Sequence, residues 1–167
     1  KESMEAFAQV ANTYQDTQYL VACADKYQPP LLAKLAEKIN NEVGREVIIY
    51  TSYFKRENLA YLMNEALALV YISDKEALGL PPLEALACGR PAIVKDNEIS
   101  HELFGDIGYF VSGADNPKNI AAQMEQLLKN PEESRLIVEK QSARLSRYNW
   151  PAHLGRLLDI VDEVVKK

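Results

Sequence analysis

The stretch Glu76-Ala-Leu-Gly-Leu-Pro-Pro-Leu-Glu84-Ala-Leu-Ala-Cys-Gly89-Arg-Pro-Ala-Ile-Val94 decides the reading of this chain. It sets two carboxylates eight residues apart, with a Gly-Leu-Pro-Pro turn between them. The apolar run 68–72 just before it has the character of a buried strand. Residues 82–88 read as a helix that stops at Gly89, and a strand over 91–94 follows at once. On this reading Glu84 falls in the first turn of the helix. Strand, loop, helix and strand in that order form the unit of a parallel sheet, and such sheets bind ligands beyond the carboxyl ends of their strands. Glu76, four residues past residue 72, lies in that position.

The loop can deliver backbone N–H groups and a helix N-terminus to an anion, with a carboxylate on either side to accept bonds from hydroxyl groups. Pro81 and Pro82 have no N–H, so the donors are the amides of Leu78, Gly79, Leu80 and Leu83. Gly79 permits close backbone approach or a positive φ. Pro82 sets the first turn, and the helix dipole adds partial positive charge where a diphosphate would sit. A neutral loop of this kind holds a diphosphate without a metal.

Working outward, helices and strands alternate. Met4, Phe7, Ala8, Ala11 and Tyr14 keep helical spacing, and 19–24 reads as a short buried strand. Pro29-Pro30 open a helix with an apolar stripe of Leu32, Leu35, Ala36 and Ile39, ended by Asn40-Asn41 and Gly44. A strand over 47–50, a short helix over 57–65 and the strand over 68–72 lead into the central loop, and 107–111 reads as a fifth strand. Asn116-Pro117 marks a helix start, and Asn130-Pro131-Glu132-Glu133 repeats the arrangement with an acidic residue at the capping-box position. The last helix starts at Pro151 and is expected to bury Leu154, Leu157, Leu158, Val161 and Val164, with part of that stripe exposed in an excised piece. The expectation is an α/β fold, a Rossmann-like parallel sheet with helices on both faces. The chain opens directly into a helix where such a domain usually begins with a strand, so the first strand is expected to be missing and the chain to be an excised piece.

At 167 residues the chain can bury a full core as one domain, and its balance of apolar and charged residues is that of a soluble globular protein. The net charge of −5 argues against nonspecific nucleic-acid binding, and weighs against Tyr53-Phe54-Lys55-Arg56 as a base-stacking platform. No run approaches the ~18 apolar residues of a membrane span, and there is no signal-peptide pattern. Cys23 and Cys88 sit in apolar surroundings without ligand spacing and read as buried free thiols of a cytoplasmic protein. His101 reads as a surface turn residue, and Arg90 and Lys95 read as surface charge.

The Glu-x7-Glu pair in its Gly-Leu-Pro-Pro-Leu-Glu-Ala-Leu-Ala-Cys-Gly-x-Pro frame resembles the donor loop of retaining glycosyltransferases with the GT-B fold, the group 1 or glycogen-synthase-like family. The similarity covers nearly the whole chain. Asp96, Glu102, Gly105-Asp106 and Gly108 keep the spacing of the family's segment after the motif, and Arg147-Tyr-Asn-Trp150 resembles its Phe/Tyr-x-Trp before the C-terminal helix. The resemblance implies that residues 1–167 are the C-terminal, nucleotide-sugar-binding half of a longer two-domain cytoplasmic enzyme of polysaccharide biosynthesis. It implies a nucleoside diphosphate sugar as donor, no cofactor and no metal, and an N-terminal acceptor-binding domain as the absent partner. This piece alone would then be inactive, and any membrane association would be peripheral and made only through the parent protein.

By the same resemblance Glu76 contacts the donor sugar's hydroxyls near the reacting carbon, and Glu84 binds the ribose hydroxyls. Leu78 and Gly79 match backbone positions that touch the sugar, and Leu80 matches a donor to the diphosphate. Thr51 and Ser52 match the edge where the base docks. Several positions depart from the family pattern. Ala77 and Leu78 replace its Gly and aromatic, Glu98-Ile99 replace its Gly-Gly, and Cys23-Ala24-Asp25 stand where it has Gly. The basic residues that neutralise the diphosphate belong to the loop after the missing strand. These departures keep open a degenerate, non-catalytic nucleotide-sugar-binding or protein-interaction domain of the same fold. An epimerase of that fold ranks lower, because its carboxylate and His set is not evident. A nicotinamide dehydrogenase ranks lower still, because no GxGxxG follows a strand.

Overall fold

A computed structural model describes residues 1–22, 29–51 and 54–166. The described elements are α1 (Glu2–Ala11), β1 (Tyr19–Ala22), α2 (Pro29–Val43), β2 (Ile48–Thr51), α3 (Arg56–Glu65), β3 (Leu69–Tyr71), α4 (Leu80–Ala87), β4 (Ala92–Lys95), α5 (Glu98–Phe104), β5 (Tyr109–Val111), α6 (Pro117–Lys129), α7 (Pro131–Leu145) and α8 (Trp150–Val165). Every strand pairing is parallel. Tyr19 lies opposite Ile48, Leu69 opposite Ala92, and Ile93 opposite Tyr109.

β4 shows why the sheet must be covered on both faces. Successive strand residues point to opposite sides. Ile93 joins a core cluster with Met4, Phe7 and Val10 of α1, Ile48 of β2 and Ile120 and Met124 of α6. Ala92 and Val94 join a second cluster with Leu83 and Leu86 of α4, Leu103 and Phe104 of α5, and Val138 of α7. A strand buried on both sides reads in sequence as an unbroken apolar run, which is what residues 91–94 are.

The strands form two sheets rather than one: β1-β2 and β3-β4-β5. A sheet is continuous only where backbone N–H and C=O groups meet about 4.8 Å apart. Among the described residues no strand bonds to the edge of β1 away from β2, or to the edge of β3 away from β4. Between them lies an apolar cavity of about 470 Å³, lined by Tyr19 and Leu20 of β1, Leu69 and Val70 of β3, and Ile93 and Met124 from below. The first cluster bridges the break, since it draws on β2, β4 and β5 together.

Several local expectations are corrected. The central helix begins at Leu80, two residues earlier than its prolines suggested, because a proline in the first turn lacks only an N–H that would be unpaired anyway. Glu84 therefore lies in the second turn, not the first. The helix ends at Cys88, a half-buried free thiol, followed by Gly89 at φ 70°. Cys23, the end of the first expected strand and the segment Cys23-Ala24-Asp25 lie outside the described residues. α5 was not expected from the pattern, although Asn97 caps it with a side-chain bond from the Ser100 amide. Asn130 is the N-cap of α7 but makes no side-chain cap bond. It also closes α6, and ending that helix holds its backbone at φ −127°, ψ 65°, away from the extended geometry an N-cap needs.

α8 is the largest departure. The expected buried stripe is exposed: Leu154, Leu157, Leu158, Val161 and Val164 are each 47% to 68% accessible. The helix forms because Asn149 caps it and Pro151 suits its first turn. Its apolar face stays largely exposed, and none of its residues joins either core cluster. Among the described residues no helix is long and apolar enough to cross a membrane.

Candidate functional site

β3 ends at Tyr71, the chain turns over residues 72–79, and Gly79 admits it to α4. Gly79 takes the left-handed conformation, φ 75° and ψ 60°. That conformation costs an L-residue with a side chain about 1–2 kcal/mol. Space is also short, since a Cβ there would stand 3.3 Å from Cδ1 of Leu103. Both facts favour glycine.

The turn folds Glu76 back onto the strand it has just left. The Tyr71 hydroxyl donates a hydrogen bond to Oε1 of Glu76. The Ser73 side chain and the Gly79 backbone also lie close to the carboxylate. These neighbours, Tyr71's bond foremost, hold the Glu76 carboxyl below the usual carboxylate range. The Tyr71 phenol is pushed up to about 12, first by burial and then by the charge it faces. With α4 starting at Leu80, Leu83 is its fourth residue, and it is buried. Leu78 and Leu80, at 38% and 61% accessibility, remain as the exposed loop positions whose amides can meet a ligand.

The neighbouring strand supplies a cation. Lys95 ends β4, and its ammonium pairs with Asp74 of the same loop, holding the Asp74 carboxyl below its ordinary value. Lys95, Tyr71, Ser73, Glu76, Gly79 and Asn97 line a cleft of about 20 Å³, room for a single water. Past β4, Asp96 accepts from Nε2 of His101 at 2.8 Å and from the Ser112 hydroxyl. His101 Nδ1 donates to the Gly105 carbonyl at 3.2 Å, and the ring stacks on Phe110 at 4.3 Å between centroids. Asp96 raises the His101 pKa above its ordinary value, and the bond from Ser112, then that from His101, lowers the pKa of Asp96. His101 thus belongs to a hydrogen-bonded cluster at the ends of β4 and β5.

The structure brings Glu76, Gly79 and Lys95 together. Glu84 lies on the exposed side of α4 and has no side-chain partner among the described residues. Thr51 ends β2 in the other sheet, opposite Ala22, and no described hydrogen bond joins it to the β3–α4 loop. Ser52 lies outside the described residues. Among the described residues no three His, Cys, Asp or Glu side chains gather as a metal-binding group. Sequence reasoning passed over Tyr71 and Ser73 and left Lys95 as surface charge. The available signal was Tyr71 and Ser73 at spacing two, which puts them on one side of an extended chain, with Glu76 just beyond. The result is an ionised carboxylate, bound by the Tyr71 hydroxyl, at a strand's carboxyl end beside a helix N-terminus. A carboxylate has about four lone-pair positions, so positions remain to accept from a ligand hydroxyl.

Residues 1–144 match the family described as "Glycosyl transferases group 1". The chain is 31% identical over 103 residues to the O-antigen chain mannosyltransferase B of Escherichia coli, a match that covers 62% of this chain and 27% of that protein. An alpha,alpha-trehalose-phosphate synthase (UDP-forming) from Burkholderia vietnamiensis superposes with a TM-score of 0.84 at 14% identity, over 98% of this chain and 42% of that one. Anabaena Alr3699/HepE, solved in complex with UDP and glucose, superposes with a TM-score of 0.75 at 15% identity, over 99% of this chain and 44% of that one. The fold is that of GT-B glycosyltransferases, and the chain spans less than half the length of each of these three.

Proposed function

The chain belongs to the group 1 glycosyltransferases, and we propose that it is the donor-binding half of a retaining enzyme. That enzyme moves a sugar from a nucleoside diphosphate sugar to a glycan or lipid-linked acceptor bound by a separate N-terminal domain, in the cytoplasm. The observation that carries the reading is the Glu76 carboxylate, bound by Tyr71 beside the N-terminus of α4.

In this reading Glu76 accepts bonds from the donor sugar's hydroxyls near the reacting carbon. The Leu78 amide meets the sugar, and the Leu80 amide and the α4 dipole meet the diphosphate. Glu84 takes the ribose hydroxyls, and Thr51 and Ser52 border the base. Lys95 can leave Asp74 and turn its charge toward the phosphates. Catalysis is positioning plus stabilisation of the leaving diphosphate, which itself helps to deprotonate the acceptor. No side chain of this chain acts as a conventional nucleophile and no metal is needed. The mannosyltransferase relative makes a mannose donor the first candidate.

A second reading is a domain of this fold that binds without catalysing. Its support is the state of Lys95, the cation lining the cleft, which is paired with Asp74 rather than free. Calorimetric titration with UDP, GDP and ADP, without and then with magnesium, tests the first reading. One nucleotide is expected to bind saturably without magnesium and to lose that binding in Glu84→Ala. Sugar transfer by the full-length protein, abolished in Glu76→Ala, then separates enzyme from binding module.

A further inference from the structure

We infer that Tyr71 is a positioning residue for Glu76, holding its carboxylate ionised and in one orientation toward the donor's sugar hydroxyls. The inference rests on the donor-site reading above and deepens it. Tyr71 is the last residue of β3, half-buried and anchored by pairing of that strand with β4 at Val94. Glu76, by contrast, sits on an irregular loop, where a free carboxylate samples several rotamers. The Tyr71 hydroxyl connects the two, donating to Oε1 across a four-residue turn. The strand thereby lends its rigidity to a loop side chain.

The chemistry asks for this arrangement. A carboxylate that receives hydroxyl protons from a ligand must be ionised, because a protonated carboxyl turns one acceptor into a donor. A phenol donating to it favours the ionised form, and the lowered Glu76 pKa agrees with that geometry. Ser73 and Gly79 assist, but Ser73 is itself a loop residue and the Gly79 amide moves with α4's first turn. Tyr71 is the only one of the three on a strand. Phenylalanine at this position would keep the ring and its packing and remove only the donor.

Tyr71→Phe in the full chain is the test, with two readouts. The first is a carbon-13 NMR titration of the Glu76 side-chain carboxyl. Its midpoint is expected to rise toward the ordinary value of 4.5 in the variant. An unmoved midpoint overturns the inference whether or not any ligand binds. The second is calorimetry with GDP-mannose and UDP-glucose, and with GDP and UDP as controls. The variant is expected to bind its sugar nucleotide about tenfold more weakly, the scale of one bond to a charged group, with the bare nucleotide unchanged. The acid limit of sugar-nucleotide binding is expected to move to higher pH, since Glu76 now protonates earlier as pH falls. Equal weakening of nucleotide and sugar nucleotide would indicate a general structural role and overturn the inference, as would unchanged binding of both. Failure of the wild-type chain to bind any nucleotide would count against the donor-site reading instead, and the carboxyl titration would still decide what Tyr71 does to Glu76.

Discussion

His101 is the residue whose neighbours impose a pH response on this fold. Asp96 faces its Nε2 and the Gly105 carbonyl faces its Nδ1, with the Asp106 carboxylate 3.6 Å from the same nitrogen. All three favour the imidazolium, so the folded pKa lies above the ordinary 6.5. A raised pKa means that the stability it contributes is complete below the unfolded value and is lost as pH rises through the folded one. Asp96 behaves oppositely: its pKa is below 3.8, so its share is lost as pH falls through the depressed value. The pair therefore contributes between the two limits. Both side chains are more than a third exposed, and solvent screening keeps the effect small. We expect the difference in melting temperature between wild type and His101→Gln to be largest near about pH 5–6 and to shrink as pH rises through the raised His101 pKa. Glutamine can still bond to Asp96 but does not titrate. Melts across that range check this, and a difference that stays constant with pH would contradict the assignment of the charge to His101.

At the scale of elements, the caps show how far a local motif can be trusted. Asn97 and Asn130 both precede helices, but only Asn97 accepts a bond from a first-turn amide, that of Ser100 at 2.9 Å. Asn97→Ala is expected to cost about 1 kcal/mol, and Asn130→Ala only a fraction of that. Urea denaturation of the two variants measures the contrast, and equal losses would show that the cap bond of α5 contributes nothing special. The sequence marked a helix start at Asn130 and none at Asn97. What differed was the element before each asparagine: Asn97 follows a strand already in extended geometry, whereas Asn130 must also end α6. The same limit applies to α4, where Pro81 and Pro82 marked the helix but not its first residue.

At the scale of the molecule, unsatisfied surfaces among the described residues include the edges of β1 and β3 that border the 470 Å³ apolar cavity, and the apolar face of α8. Open edges and apolar stripes both promote association. We expect the chain to self-associate reversibly as its concentration rises, and a chain ending at Asn149, without α8, to associate less. Sedimentation velocity on the two chains measures this. A wild-type chain that stays monomeric at high concentration would mean that these surfaces are closed in solution.

The sequence by itself determined the parallel α/β architecture, the order of most elements and the loop that carries Glu76. These follow from periodicity, turn residues and caps, which act between neighbours a few positions apart. Only the tertiary structure decided that the described strands form two sheets, that α8 stays outside both core clusters, and that Lys95 meets Asp74 across 21 positions and Ser112 meets Asp96 across 16. Such contacts depend on which strand ends lie side by side, and no local pattern encodes that. Tyr71 and Glu76 are only five positions apart, yet their bond was equally hidden. The turn between them is irregular, so spacing alone does not say where its side chains point.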